Sequence, residues 1–270
     1  VILVRIEQGL VQLFARAQAG VDDRNVLVRL LAGQADHLLG QQADRYRLAH
    51  IERVDRLRRA DRHRLHDQLA GTEIGDLLQK VNALGLANNT IIIFQSDNGY
   101  STEERAHFGG GSAGIYRGAK ASLFEGGIRV PSIISWPGKV PKGQVRNQFA
   151  VNTDWFPTLA EYCNIKLPRN DLDGKSLVSV INSAAAETMH PEGYCWEFKK
   201  MWVARKGKWK LMGNPVDTSN KGTLTDADIL FLVDLEADPS ESTNVAASHP
   251  DIVNELKTQY QNWGKTNKNK

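Results

Sequence analysis

The chain has 270 residues, of which 41% are hydrophobic and 24% charged, and its formal net charge is +3. That composition belongs to a globular chain with room for one large domain, or a medium one with a smaller companion. So small a charge gives no strong general pull on nucleic acid, and no run approaches the roughly 18 apolar residues of a membrane-spanning helix. Two cysteines, Cys163 and Cys195, build neither a disulfide scaffold nor a four-cysteine zinc site. Both read as small apolar side chains.

Two unlike parts share the chain. Residues 1–66 hold 12 Arg against 8 acidic residues, a local charge of +4, and no Lys, Ser, Thr or Pro. Arg53, Arg56, Arg58, Arg59, Arg62 and Arg64 cluster there, but Glu52, Asp55 and Asp61 interleave with them and no aromatic lies among them. A nucleic-acid arm is therefore disfavoured. Arg5 and Glu7 interrupt the apolar run a secretory signal needs, and a transit peptide would be Ser-rich and poor in acids. The segment is expected to be foreign to the natural fold, as a misassigned frame or gene boundary would make it.

From Asp67 the text changes character. Ile74, Leu77, Leu78, Val81 and Leu84 recur at helical steps, with Thr72 as N-cap and Gly85 as the C-terminal glycine. Thr90–Ile91–Ile92–Ile93–Phe94 reads as a strand buried on both faces, of the kind found in parallel sheets. It ends at Ser96–Asp97–Asn98–Gly99, where open α/β sheets place ligands. Asn-Gly alone signals a turn, whereas Asp97 and Asn98 together offer a carboxylate and an amide oxygen to a hard cation such as calcium or magnesium. A glycine-rich stretch follows. Gly109-x-Gly111-x-x-Gly114 lacks the preceding strand and following helix of a dinucleotide site. Gly110-x-Ser112-x-Gly114 has the letters of a serine-hydrolase elbow, which likewise needs a strand before and a helix after.

The string Ser96–Asp97–Asn98–Gly99, then Tyr116–Arg117–Gly118–Ala119–Lys120, then Phe124–Glu125–Gly126–Gly127–Ile128–Arg129–Val130–Pro131, resembles the second half of a type I sulfatase. The likeness runs on through Ile133–Ile134–Ser135–Trp136–Pro137–Gly138, Asp154–Trp155–Phe156–Pro157–Thr158–Leu159 and Leu172–Asp173–Gly174–Lys175–Ser176–Leu177. It continues in 202–211 and 232–241, over about 200 residues in all, and residues 1–66 contribute nothing to it.

This resemblance implies an α/β, alkaline-phosphatase-like sulfatase fold, incomplete for want of its N-terminal half, with a small C-terminal antiparallel α+β subdomain. It divides the chain into the atypical 1–66, a part of the sulfatase α/β domain at 67–185 and the subdomain at 186–270. It implies that Asp97 and Asn98 bind a divalent metal, calcium with magnesium as the alternative, and that Lys120 contacts sulfate. His107 either contacts substrate or caps a loop, while Arg117, Glu125 and Arg129 brace the loop. The expected partner is a sulfated small molecule or glycan, with no nucleic acid and no membrane span, and a periplasmic or secreted location.

The family's formylglycine arises from a Cys or Ser in a C/S-x-P-S/A-R context. Cys163 precedes Asn164–Ile165–Lys166, Cys195 precedes Trp196–Glu197–Phe198, and the first proline is Pro131, so this sequence holds no such motif. Asp22–Asp23 imitates the family's early aspartate pair by chance. The expected chain is thus a sulfatase part without its nucleophile and inactive alone, the alternatives being a serine hydrolase using Ser112 or a non-catalytic sulfated-glycan-binding remnant.

In the rest of the chain Asp154 is expected to cap a helix holding Pro157, Leu159 and Tyr162. Val203–Arg205 and Trp209–Leu211 flank Lys206–Gly207 as a hairpin, 229–235 is a further strand, and Pro250 opens a helix striped by Ile252, Val253, Leu256, Tyr260 and Trp263. Trp196, Trp202 and Trp209 are expected in the core of the subdomain.

Overall fold

The computed structural model describes residues 2–7, 10–15, 74–103, 111–167 and 169–268. Thr72, His107 and most of residues 1–66 lie outside the described residues. The chain divides into two compact units, 1–94 with 134–140, and 95–133 with 141–270.

In the first unit, strands β1 (Ile2–Glu7) and β2 (Leu10–Ala15) form an antiparallel hairpin. Residues 74–83 are helical (α1). Gly85 adopts φ +68 and Leu86 N donates to Val81 O at 3.0 Å, the bond that closes a helix on a left-handed glycine. Strand β3 (Thr90–Gln95) follows, and with β4 (Ser132–Ser135) the sheet has the order β2-β1-β3-β4.

Two expectations fail here. Strand β3 pairs antiparallel with β1, Ile2 opposite Ile93 and Arg5 opposite Thr90. Nor is it buried on both faces: Thr90, Ile91 and Ile93 are buried while Phe94 is 40% exposed. A run of β-branched residues is as compatible with a half-covered antiparallel strand as with a parallel one.

The second unit holds α2 (Glu125–Ile128), α3 (Trp155–Tyr162), α4 (Val178–Asn182) and a four-stranded sheet. That sheet is β5 (Tyr194–Phe198), β6 (Met201–Lys206), β7 (Trp209–Gly213) and β8 (Leu230–Asp234), antiparallel throughout and in chain order. The hairpin turns at Gly207–Lys208, one residue later than expected, because Lys206 pairs with Trp209. Gly207 takes φ +55 there, a conformation other residues resist.

Side chains alternate across this sheet. Met201, Val203, Met212, Phe231 and Val233 line one face, packed with Leu123 and Phe124. Ala204, Leu211 and Leu232 line the other, beneath α5 (Pro250–Lys268) with its Leu256, Ile252, Val253, Tyr260 and Trp263. The helical stripe therefore does what its spacing predicts. Trp196, Trp202 and Trp209 are partly buried against these two clusters, and Trp202 stacks on Tyr260 at 4.3 Å. Among the described residues no helix is long and apolar enough to cross a membrane.

Candidate active site

Strand β3 delivers the chain to a turn at residues 97–99. Ser96 Oγ donates to Asn98 O at 2.8 Å, which folds the turn on itself and leaves Asp97 exposed and Asn98 half-buried. Gly99 N then donates to Gly127 O at 2.8 Å, and Lys120 N donates to Tyr100 O at 2.8 Å. These two backbone bonds hold the segment after Asp97–Asn98 against the segment that carries Lys120. Lys120 Nζ stands 3.6 Å from Glu103 Oε2, both side chains partly exposed. His107 lies outside the described residues.

The segment 117–127 is wound around its glycines. Gly126 N donates to Arg117 O at 2.6 Å and Gly127 N to Phe124 O at 2.9 Å. From outside, Ser219 Oγ accepts from Gly118 N, Thr218 Oγ1 accepts from Ala119 N, and Ser122 Oγ donates to Val216 O. Lys120 is half-exposed and Ala121 exposed, between buried stretches at 117–119 and 122–127.

Arg117, Glu125 and Arg129 brace that run. Arg117 Nε donates to Asp217 at 2.7 Å and its guanidinium lies 4.4 Å from the Phe124 ring centre. Glu125 accepts from Lys210 Nζ at 2.9 Å, and the same Nζ donates to Glu241 at 2.8 Å, all three side chains buried. Burial alone would raise the Glu125 carboxyl, but Lys210, Arg205 and Arg129 outweigh it and hold Glu125 below the ordinary carboxylate range. Burial pushes Glu241 up, Glu125 adds to the push, and Lys210 resists it.

A second buried knot surrounds Asp154. Its carboxylate accepts from Val151 N and Lys175 N, both at 2.8 Å, and His190 Nε2 lies 2.9 Å away. The side chain makes no capping bond to α3, contrary to expectation; it closes the 3-10 turn at residues 152–154 and ties it to the 175 loop.

Ser112 does not sit on a nucleophile elbow. Its Oγ accepts from Gly114 N at 3.0 Å, and a turn, not a helix, follows. Burial pushes the Cys195 thiol up to about 12 and raises Cys163 as well, so neither is poised as a thiolate.

A divalent cation fits these residues only in part. Asp97 and Asn98 offer two oxygen ligands, and among the described residues no group of three His, Cys, Asp or Glu converges. Calcium takes six to eight oxygens.

The pH response follows from the carboxylates. Glu125, Asp217, Asp228, Asp234 and Asp238 are all held below their ordinary values, so each contributes stability above its unfolded value, near 4, that is lost as pH falls through the folded one. Glu241 runs the other way, taking up its proton earlier in the folded chain and gaining stability as pH falls through its raised value. Urea midpoints measured from pH 7 to pH 3 are expected to hold level or rise slightly at first, then drop steeply below about pH 4. A monotonic rise down to pH 3 contradicts the assignment.

Residues 69–165 match the family described as Sulfatase. Arylsulfatase A of Bos taurus is 31% identical over 199 residues, which is 67% of this chain and 38% of that protein. Steryl-sulfatase of Rattus norvegicus is 40% identical over 121 residues, 43% of this chain and 21% of that protein. A solved sulfatase from work on the metabolism of multiple glycosaminoglycans by Bacteroides thetaiotaomicron is 30% identical, with a TM-score of 0.52 over 69% of this chain and 41% of that one. The chain spans about two fifths or less of the length of these relatives. The matched part has their alkaline-phosphatase-like sulfatase fold.

Proposed function

We propose that this chain, a type I sulfatase over the part that the relatives match, carries the sulfate-holding side of a sulfate ester hydrolase site. The observation that supports the reading is the backbone pair Gly99–Gly127 and Tyr100–Lys120, which sets Lys120 beside the Asp97–Asn98 turn. Lys120 brings a compact positive charge with three donors to a sulfate group. At about 4 Å and an effective dielectric near 20 such a pair is worth roughly 4 kcal/mol before desolvation. The family's divalent metal supplies polarisation of the ester when bound, and Asp97 and Asn98 are the residues here that would contribute oxygens to it. The substrate class is a sulfate ester of a carbohydrate or an aryl alcohol. In the same reading residues 67–185 belong to the α/β domain and 186–270 form the small subdomain.

Turnover needs an attacking group, and this sequence has no C/S-x-P-S/A-R motif to make the family's nucleophile. The 270-residue chain is therefore expected to hydrolyse 4-nitrophenyl sulfate no faster than its Lys120→Ala variant, while calorimetry shows that variant binding the ester about tenfold more weakly. Equal affinities for the two proteins remove Lys120 from the site; a rate above the variant's shows that a nucleophile is present after all. Binding without turnover also matches the second reading, a non-catalytic sulfated-glycan-binding chain.

Calcium affinity tests the other half of the assignment. Two oxygens from Asp97 and Asn98 predict binding no tighter than roughly millimolar, the range of the loosest calcium modules. Micromolar affinity lost on Asp97→Ala means that further ligands converge there.

A further inference from the structure

Arg117 is only 3% exposed, and its donors are unevenly used. Nε donates to Asp217 at 2.7 Å and Nη1 to the Glu241 carbonyl at 3.1 Å, but buried Nη2 has no hydrogen-bond partner. An unsatisfied buried donor on a charged group forfeits its hydration without return, so folded chains seldom leave one. Directly over it lies Gly222, at which any Cβ would stand 2.8 Å from Nη2. Only backbone covers the nitrogen there.

Beside this point is a cleft of about 330 Å³ lined by Ile115, Arg117, Lys221, Gly222, Ser240 and Ser242. Lys221 Nζ donates to Gly114 O at 2.6 Å and Tyr116 O at 2.8 Å, and an ammonium has a third hydrogen to give. No carboxylate is among the lining residues. The nearby Asp238 is committed, accepting from Ser240 Oγ, Ser242 N and Oγ, and Thr243 N. Asp217 is likewise held by Arg117, Ser219 and Gly222. The cleft therefore has a spare hydrogen of Lys221 Nζ at its wall and the unpartnered Nη2 of Arg117 behind Gly222, and serving both takes an acceptor with at least two oxygens.

We propose that this cleft is a small-oxyanion site, with sulfate or a similar tetrahedral anion accepting from Arg117 Nη2 and Lys221 Nζ. Lys120 does not line it. Access to Nη2 runs past Gly222, so occupancy involves a local shift of the turn at 219–222. The proposal stands whether or not Lys120 holds a substrate sulfate.

The test uses the isotope-labelled full chain carrying Lys120→Ala, titrated with sodium sulfate against sodium chloride at constant ionic strength and followed by amide resonances. Saturable shifts of Gly222, Ser240 and Ser242 are expected at a dissociation constant of the order of 1 mM, weakened about tenfold by adding Lys221→Gln. Titration with a monosaccharide sulfate ester distinguishes the source: equal binding points to a sulfated glycan, binding of the free ion alone to inorganic sulfate, and either supports an oxyanion site. Shifts that chloride reproduces, or that Lys221→Gln leaves unchanged, overturn the proposal and leave Nη2 to a water molecule.

Discussion

Replacing Lys210 with Met is expected to destabilise the second unit by about 3–5 kcal/mol, the usual cost of stripping one partner from a buried ion cluster. Lys210 is fully buried on β7, and its Nζ donates to both Glu125 and Glu241, which are 2% and 0% exposed. Without it two carboxylates remain in the interior. Glu125 keeps Arg129 at 3.5 Å and Arg205 at 3.8 Å, whereas Glu241 keeps the backbone N–H of Glu125 and a longer-range attraction to Arg205, and burial already pushes its carboxyl up. Urea unfolding followed by the fluorescence of Trp202 and Trp209, on the sheet itself, reads the loss. The triple variant Lys210→Met, Glu125→Gln, Glu241→Gln is expected to recover most of it, since three well-packed neutral side chains escape the desolvation cost of the ions. A loss below about 1 kcal/mol in the single variant means that the cluster is wetter than its burial indicates.

That cluster shows where the sequence stops being legible. The alternation Trp209–Lys210–Leu211–Met212 puts Lys210 on the same face as Met212, toward Phe124, a placement that the register of the folded sheet reveals. Its partners could not be read from the sequence, because Glu125 lies 85 residues and Glu241 31 residues away, and no local period records such a meeting. Local signals fared well: the Gly85 stop, the β6–β7 hairpin and the stripe on α5 all follow from spacing. The direction of β3 did not, since an apolar β-branched run fits either kind of neighbour and the pairing with β1 is long-range. Strand β5 escaped notice too, its Tyr-Cys-Trp-Glu-Phe run offering only mixed burial. At the site, Asp97 and Asn98 stood out as an oxygen pair at the end of a strand and Lys120 came from motif resemblance, and what the structure adds is the backbone stitching between their segments. The unpartnered Nη2 of Arg117 left no trace in the sequence, because satisfaction of a donor is a property of three dimensions.

Gly126→Ala is expected to cost about 3 kcal/mol, at the upper end of ordinary overpacking, and to disturb the site more than any exposed change. A Cβ there would stand 2.3 Å from Gly118 O and 2.6 Å from Arg117 O, and both are backbone atoms that no rotamer can move aside. The bond from Gly126 N to Arg117 O, at 2.6 Å, is what brings them so near. Gly99 presses on the same place from the other side, its hypothetical Cβ 1.9 Å from Gly126 O. Gly126 therefore lets the two ends of the 117–127 segment close on each other, and Gly99 lets the segment after the 97–98 turn lie against that closed loop. If the clash is relieved by parting the segments, the Gly99–Gly127 and Tyr100–Lys120 bonds break with it. Hydrogen exchange then distinguishes a local from a global response: the amides of Gly99 and Lys120 are expected to lose protection in Gly126→Ala by more than those of β7, while Gly264→Ala, on α5, whose added methyl meets nothing within 4 Å, leaves Gly99 and Lys120 as they were. Protection of Gly99 and Lys120 unchanged in Gly126→Ala refutes the stitched site, and with it the structural support for placing Asp97, Asn98 and Lys120 in one active centre.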